Sequence, residues 1–287
     1  MDTQTLAQLV VGGLLLGGVY ALAAAGLNLV FGVMRVVNFA HGDLMILGSY
    51  VTFWLYQLLG LNPLAALLVS VPLLFLVGVA LQRLLVDRVV GQAPLMSLIL
   101  LWGVSLVLIN LMLYFWTSNS RSVPYFSGGV DVAGVSISRA RGVAFLAALL
   151  LSAAVWLFLQ RTRWGKAIRA TAQSSEMALV CGIDVERVRL LTFGLAAAMA
   201  GAAGNLLVMI FSVNPTIGPS FLLKAFAIIV IGGLGSFQGA LIGALLIGVL
   251  ESVSSYAINA QLGDAVVYFA LILFLLARPS GLVGARL

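Results

Sequence analysis

The 287-residue chain has one cysteine, one histidine, and only 8% of its residues are Asp, Glu, Lys or Arg. A lone Cys181 excludes an intramolecular disulfide, and it is read as a small packing residue rather than a reactive thiol. A lone His41 leaves His-based metal clusters and Ser/His/Asp arrangements poorly supported, and no catalytic constellation stands out. There is no GxxxxGK[ST] phosphate loop, so binding of ATP by this chain in that manner is not expected. The amino terminus, MDTQTLAQLVVGG, lacks a basic stretch ahead of its apolar run, which argues against a cleaved signal peptide. Soluble domains carry about a quarter charged residues, and this chain cannot supply such a surface.

What it has instead is hydrocarbon: 62% of its residues are hydrophobic. Roughly 20 apolar residues cross the ~30 Å core of a bilayer, and several runs reach that length. The composition predicts an all-α, polytopic transmembrane helical bundle forming one domain over 1–287. Expected spans are 6–27, 44–60, 63–82, 95–115, 142–160, 190–211, 240–257 and 264–277, with a further piece at 221–239. Its apolar part, 221–231, is too short for a straight crossing and lies between Gly218-Pro219 and GGLGSFQG, so the segment reads as broken or re-entrant. The total is 8 or 9 spans, depending on that segment.

In the first span, Gly13/Gly17 and Ala21/Ala25 form small-x-x-x-small pairs, which let helix backbones approach closely in lipid. Residues 28–43, NLVFGVMRVVNFAHGD, set Asn28, Arg35, Asn38, His41 and Asp43 among apolar neighbours and suggest a short re-entrant or interfacial element. Between the fourth and fifth spans, SVPYFSGGVDVAGVSIS has the pattern of a small hairpin over the outer mouth. Asp43 and Asp264 stand at helix starts, where an acid caps, while Glu251 has no such explanation. Asn28, Asn38, Asn110 and Gln238 are either glue between helices or lining of an aqueous path.

The net charge of +6 does not point to nucleic acid, because the basic residues cluster at the ends of apolar runs. With the amino terminus outside, Arg35, Arg83, Arg88, Arg278, Arg286 and the basic residues of 161–189 all fall on the cytoplasmic side. Arg121, Arg139, Arg141 and, near the edge, Lys224 fall outside. The interval 161–189, RTRWGKAIRATAQSSEMALVCGIDVERVR, is the longest polar stretch and holds six of the fifteen basic residues. Residues 164–180 contain no proline, and Trp164, Ile168 and Thr171/Ala172 recur at helical spacing, as in a surface helix or a docking helix for a cytoplasmic partner.

Within it, E176-M-A-L-V-C-G182 resembles the EAA loop of ATP-binding-cassette importer permeases. Glu176, Ala178 and Gly182 match; Met177 replaces the usual Ala and the distal I-x-L-P element is absent. Together with GLNLVFGVMRVVNFAHGDLMILGSY (26–50) and IGGLGSFQGALIGA (231–244), the segment closely resembles LivH-type permeases of branched-chain amino acid importers, over nearly the whole chain. The resemblance implies a permease subunit in the bacterial inner membrane, forming half of a translocation pathway. Its implied partners are a second, related permease, two cytoplasmic ATPase subunits that bind ATP and Mg, and a periplasmic solute-binding protein; no cofactor is expected in this chain. It also implies a coupling loop at 161–189 with Trp164, Arg169, Glu176, Ala178 and Gly182 contacting an ATPase. Asn28, Asn38, His41, Asp43, Gln238 and Glu251 remain as pathway or structural polar residues. The competing expectation is an ion-coupled secondary transporter of amino acids or small amides that uses Asp43, Glu251 or Asp264.

Overall fold

The structure, a computed structural model, describes residues 2–132, 135–278 and 281–283. In chain order the helices are α1 (Thr3–Met34), α2 (His41–Leu59), α3 (Pro63–Leu84), α4 (Pro94–Trp116), α5 (Arg139–Arg161), α6 (Arg163–Gln173), α7 (Ser175–Val180), α8 (Val185–Leu207), α9 (Gly218–Gly232), α10 (Phe237–Ala257) and α11 (Ala260–Ala277). The only sheet among the described residues is the hairpin of β1 (Gly129–Val132) and β2 (Val135–Ser138), antiparallel with Gly129 opposite Ser138. It lies in the 116–141 loop where the turn chemistry suggested it; its tip at 133–134 is outside the described residues, as is Arg286.

Among the described residues, α1, α4, α5, α8, α10 and α3 with its short extension are long and apolar enough to cross a membrane. The α2, α9 and α11 helices complete an all-α polytopic bundle. Their ends are set by local chemistry. Asn62 caps α3 by accepting from the Leu64 amide, with Pro63 at the first turn. Asp184 does the same for α8, Ser236 for α10 and Asn259 for α11.

The centre of the bundle is α1, packed against α10, α8, α5 and α9. Small residues make this possible. A Cβ on Gly17 would lie 2.7 Å from the Ala244 carbonyl oxygen, and one on Gly13 2.6 Å from that of Gly248. The Gly13/Gly17 face predicted for close packing is therefore the α1–α10 seam. A second seam joins α2 to α8, where Gly48 meets Gly201 and Gly204 rests on the Met45 carbonyl. Helices in lipid gain no hydrophobic drive from meeting each other, so backbone proximity of this kind carries the association.

Residues 28–43 differ from expectation. They form no separate re-entrant element: α1 continues to Met34, Arg35 ends it in the left-handed region at φ 55°, and α2 begins at His41. Some of the polar groups that suggested an interruption are held by hydrogen bonds inside the protein, although Asp43 is not among them. Asn28, 3% exposed, donates to the Ser236 carbonyl and accepts from the Gly235 amide, both at 2.7 Å. Asn38 accepts from the Ala40 amide, and His41 Nε2 donates to the Ala23 carbonyl at 2.9 Å. The 221–239 segment is broken, as expected: α9 has 15 residues, about 22 Å of helix. It folds back on α10 through the 233–236 turn, so that Gly232 meets Gly239 and Ile228 meets Gly243.

Candidate functional site

The polar interval 161–189 folds as two short helices rather than one. Thr162 caps α6 through the Gly165 amide, and Ser174 ends α6 and caps α7 through the Met177 amide. The two behave differently. Gly165 lets α6 sit directly on the Phe158–Leu159 backbone of α5. Ile168, 1% exposed, then joins Val33 of α1, Leu159 of α5 and Val188 of α8 in a small core. Burying one such side chain contributes roughly 1.5–3 kcal/mol, so α6 is fastened to the bundle.

By contrast, α7 stands off. Ala178 is its buried residue, while Glu176, Met177, Leu179 and Val180 face outward, Val180 being 80% exposed. Cys181 is exposed rather than packed. Gly182 has φ 77° and closes α7 in a Schellman arrangement, its amide donating to Leu179 and that of Ile183 to Ala178. A side chain at Gly182 would meet open space, so glycine is needed there for backbone handedness, not for room. Trp164 on α6 is also exposed. The α7 helix thus presents an apolar knob of Met177, Leu179 and Val180 beside Glu176, while Trp164 is exposed at the start of α6.

Behind the knob, a cavity of about 280 Å³ connects α6 to the bundle. Arg169 of α6, Asn28 of α1, Gln160 of α5 and Gln238 beside the 233–236 turn all line it. Of the polar residues expected to matter, it brings together Asn28, Gln238 and Arg169. Asn38, His41 and Asp43 lie apart from it, at the start of α2. Asp43 is 1% exposed in the first turn of α2 and abuts Gly218, where α9 begins. Neither of its oxygens makes a hydrogen bond of ordinary geometry among the described residues, although the Ser105 hydroxyl of α4 faces it.

The main residue whose environment sequence reasoning missed is Lys224. It is 7% exposed within α9. Its ammonium lies 2.8 Å from Glu251 Oε1 and 2.8 Å from Asp264 Oδ1. Tyr20 of α1 donates to the same Glu251 oxygen, and the Tyr20 and Phe221 rings lie 5.7 and 5.6 Å from the lysine nitrogen. Asp264 therefore does not cap α11, a role taken by Asn259, but completes an ion cluster tying α9, α10 and α11 to α1. The signal was available. A lysine inside an apolar helix is costly without a partner, and Glu251 was the acid left without an explanation.

A polytopic bundle with tightly seamed helices, one buried ion cluster and an uncovered knob at its charged end has the build of a transport permease. The chain belongs to the family described as branched-chain amino acid transport system / permease component, whose model matches residues 9–276. It is 35% identical to the high-affinity branched-chain amino acid transport system permease protein BraD of Pseudomonas aeruginosa, over 96% of this chain and 95% of the relative. With the corresponding LivH protein of Escherichia coli it shares 34% identity over 95% of this chain and 93% of the relative. With the probable LivH of Methanocaldococcus jannaschii it shares 30% over 95% and 91%. No solved structure matches the chain.

Proposed function

We infer that this permease is one half of the translocation pathway of an ATP-binding-cassette importer for branched-chain or related amino acids. A second permease chain supplies the other half, two cytoplasmic ATPase subunits bind ATP and Mg, and a periplasmic binding protein delivers the substrate. In this reading the protein lies in the bacterial inner membrane with its amino terminus outside and 161–189 in the cytoplasm, in keeping with the concentration of basic residues in that segment.

The observation that carries the reading is the knob on α7. Met177, Leu179 and Val180 are 63, 58 and 80% exposed among the described residues. Such a cluster on a charged, non-membrane segment fits a groove on another protein. Ala178 and Gly182 hold the shape of α7, Glu176 lies on its accessible side, Trp164 is exposed on α6, and Arg169 looks back toward the cavity. Because α6 is fastened by Ile168 and lines the same cavity as Asn28 and Gln238, a push on α7 passes through α6 to α1 and the α9–α10 turn. The ion-coupled alternative is weakened in one respect: two of its three candidate acids, Glu251 and Asp264, are already paired with Lys224.

The test is Glu176→Lys in the assembled transporter. Because Glu176 is exposed and in no ion pair among the described residues, membrane level and melting temperature are expected to match the parent. Substrate-stimulated ATP hydrolysis and uptake are expected to disappear. Normal stimulation in this variant would overturn the role given to α7. Gly182→Asn, which tolerates the left-handed backbone, serves as the companion variant that alters the same end of α7 without straining it.

A further inference from the structure

A furrow on the flank of the bundle joins an apolar wall to a polar end that carries a cation. Both α5 and α10 pack on α1 but make no broad contact with each other. Between them lie the cavity described above and a second of about 240 Å³. The two share Ala25, Trp156, Phe237 and Gln238, so they form one continuous groove. Its two halves differ. The second cavity is walled by apolar groups such as Leu149, Ala153 and Leu241, and Leu149 and Ala153 are exposed on the helix flank that would face lipid. The first is polar, with Gln160, Gln238 and Arg169.

Two further observations point to an occupant. Ser152, 7% exposed, lines the apolar half, and its hydroxyl has no hydrogen-bond partner. Arg161, Arg163, Lys166 and Arg169 lie on the last residue of α5 and on α6, and of these Arg169 lines the polar end. All four are exposed, and none has a carboxylate within 4.0 Å among the described residues. No Asp or Glu lines either cavity. The charge in the furrow is therefore of one sign, with no carboxylate to pair with the ammonium of an amino acid. An amphiphile with an anionic head would match both the apolar wall and the cation.

We propose that this groove is a binding site for an anionic phospholipid, with an acyl chain along Ala153 and Leu241 and the phosphate held by Arg169. Basic pockets between transmembrane helices at the membrane surface bind anionic headgroups in this way. The furrow then couples the transporter to its bilayer, since the headgroup rests on the same α6 that carries the exposed knob.

The test compares the full chain reconstituted in nanodiscs of phosphatidylglycerol or phosphatidylcholine, with retained lipid counted by native mass spectrometry. Phosphatidylglycerol is expected to be retained about fivefold over phosphatidylcholine, the factor that one surface cation contributes. Arg169→Gln is expected to bring the ratio to parity. Ala153→Phe, at an exposed position with no core to disturb, is expected to expel both lipids. Arg187→Gln, a cation on α8 away from the furrow, is expected to change nothing. Equal retention of the two lipids by the parent chain would overturn the proposal. So would unchanged phosphatidylglycerol retention in Arg169→Gln. A third overturning result is loss of a co-purifying second permease chain in Ala153→Phe with lipid retention unaltered, because the furrow would then be a helix seat.

Discussion

Charge is handled in opposite ways at two places in this molecule. In 161–189 there are six basic and three acidic residues, yet the segment has one ion pair among the described residues, Arg187 with Asp184, and both side chains are largely solvated at 72 and 49% exposure. The interior cluster has three charges. There Lys224 is 8% and Glu251 13% exposed, and each charge is committed to a specific partner on another helix. Charge density therefore says little about structural dependence. At the rim, the charges keep a segment out of lipid and available to partners. In the bundle, a single lysine holds four helices in register.

Breaking the interior side should have the largest effect. Lys224→Met leaves Glu251 and Asp264 facing each other without a cation. The loss is expected to be about 3 kcal/mol, the lower end for a broken buried pair because Asp264 keeps a third of its surface. It should appear as a lowered melting temperature in nanodiscs, with Lys224→Met/Glu251→Met recovering most of it. An unchanged melting temperature for the single variant would mean the cluster is solvated after all. Gly17→Leu comes next. It forces a side chain into the Ala244 backbone and is expected to cost roughly 1–3 kcal/mol by overpacking, again read from thermal unfolding.

At the rim the effects shrink. Gly182→Ala adds strain of roughly 1–2 kcal/mol in the left-handed region. Because α7 is a local unit, the change should show as faster amide exchange at Ala178–Ile183 while the bundle helices stay protected. Arg187→Ala should be smallest, below about 0.5 kcal/mol, since exposed pairs contribute little; a larger loss would show that the rim charges are structural after all.

How far the sequence reveals these features depends on how far apart the partners are. The α1 seam was readable because Gly13 and Gly17 lie one turn apart, and their spacing alone identifies a close-packing face. The Ser174 break was overlooked because 164–180 has no proline, yet a serine can end one helix and cap the next. Asn28 was left between interhelical glue and path lining, inside a stretch taken for an interruption, because its partner Ser236 is 208 residues away. Unable to see a bond across that distance, one takes a polar residue in an apolar run for an interruption. Asp264 was misread for a similar reason: an acid near a helix start has an adequate local explanation, which hides the lysine on α9. Local chemistry was legible, and chemistry between helices was not.

The independence of α7 has a consequence for how such proteins diversify. Its outward side chains are mostly exposed, and its shape depends on Ser174 at one end and Gly182 at the other. Substitutions at Met177, Leu179 or Val180 therefore meet little intramolecular constraint. Under the docking role proposed for α7, drift at three positions would change the partner it fits while the bundle built around α1 stays as it was.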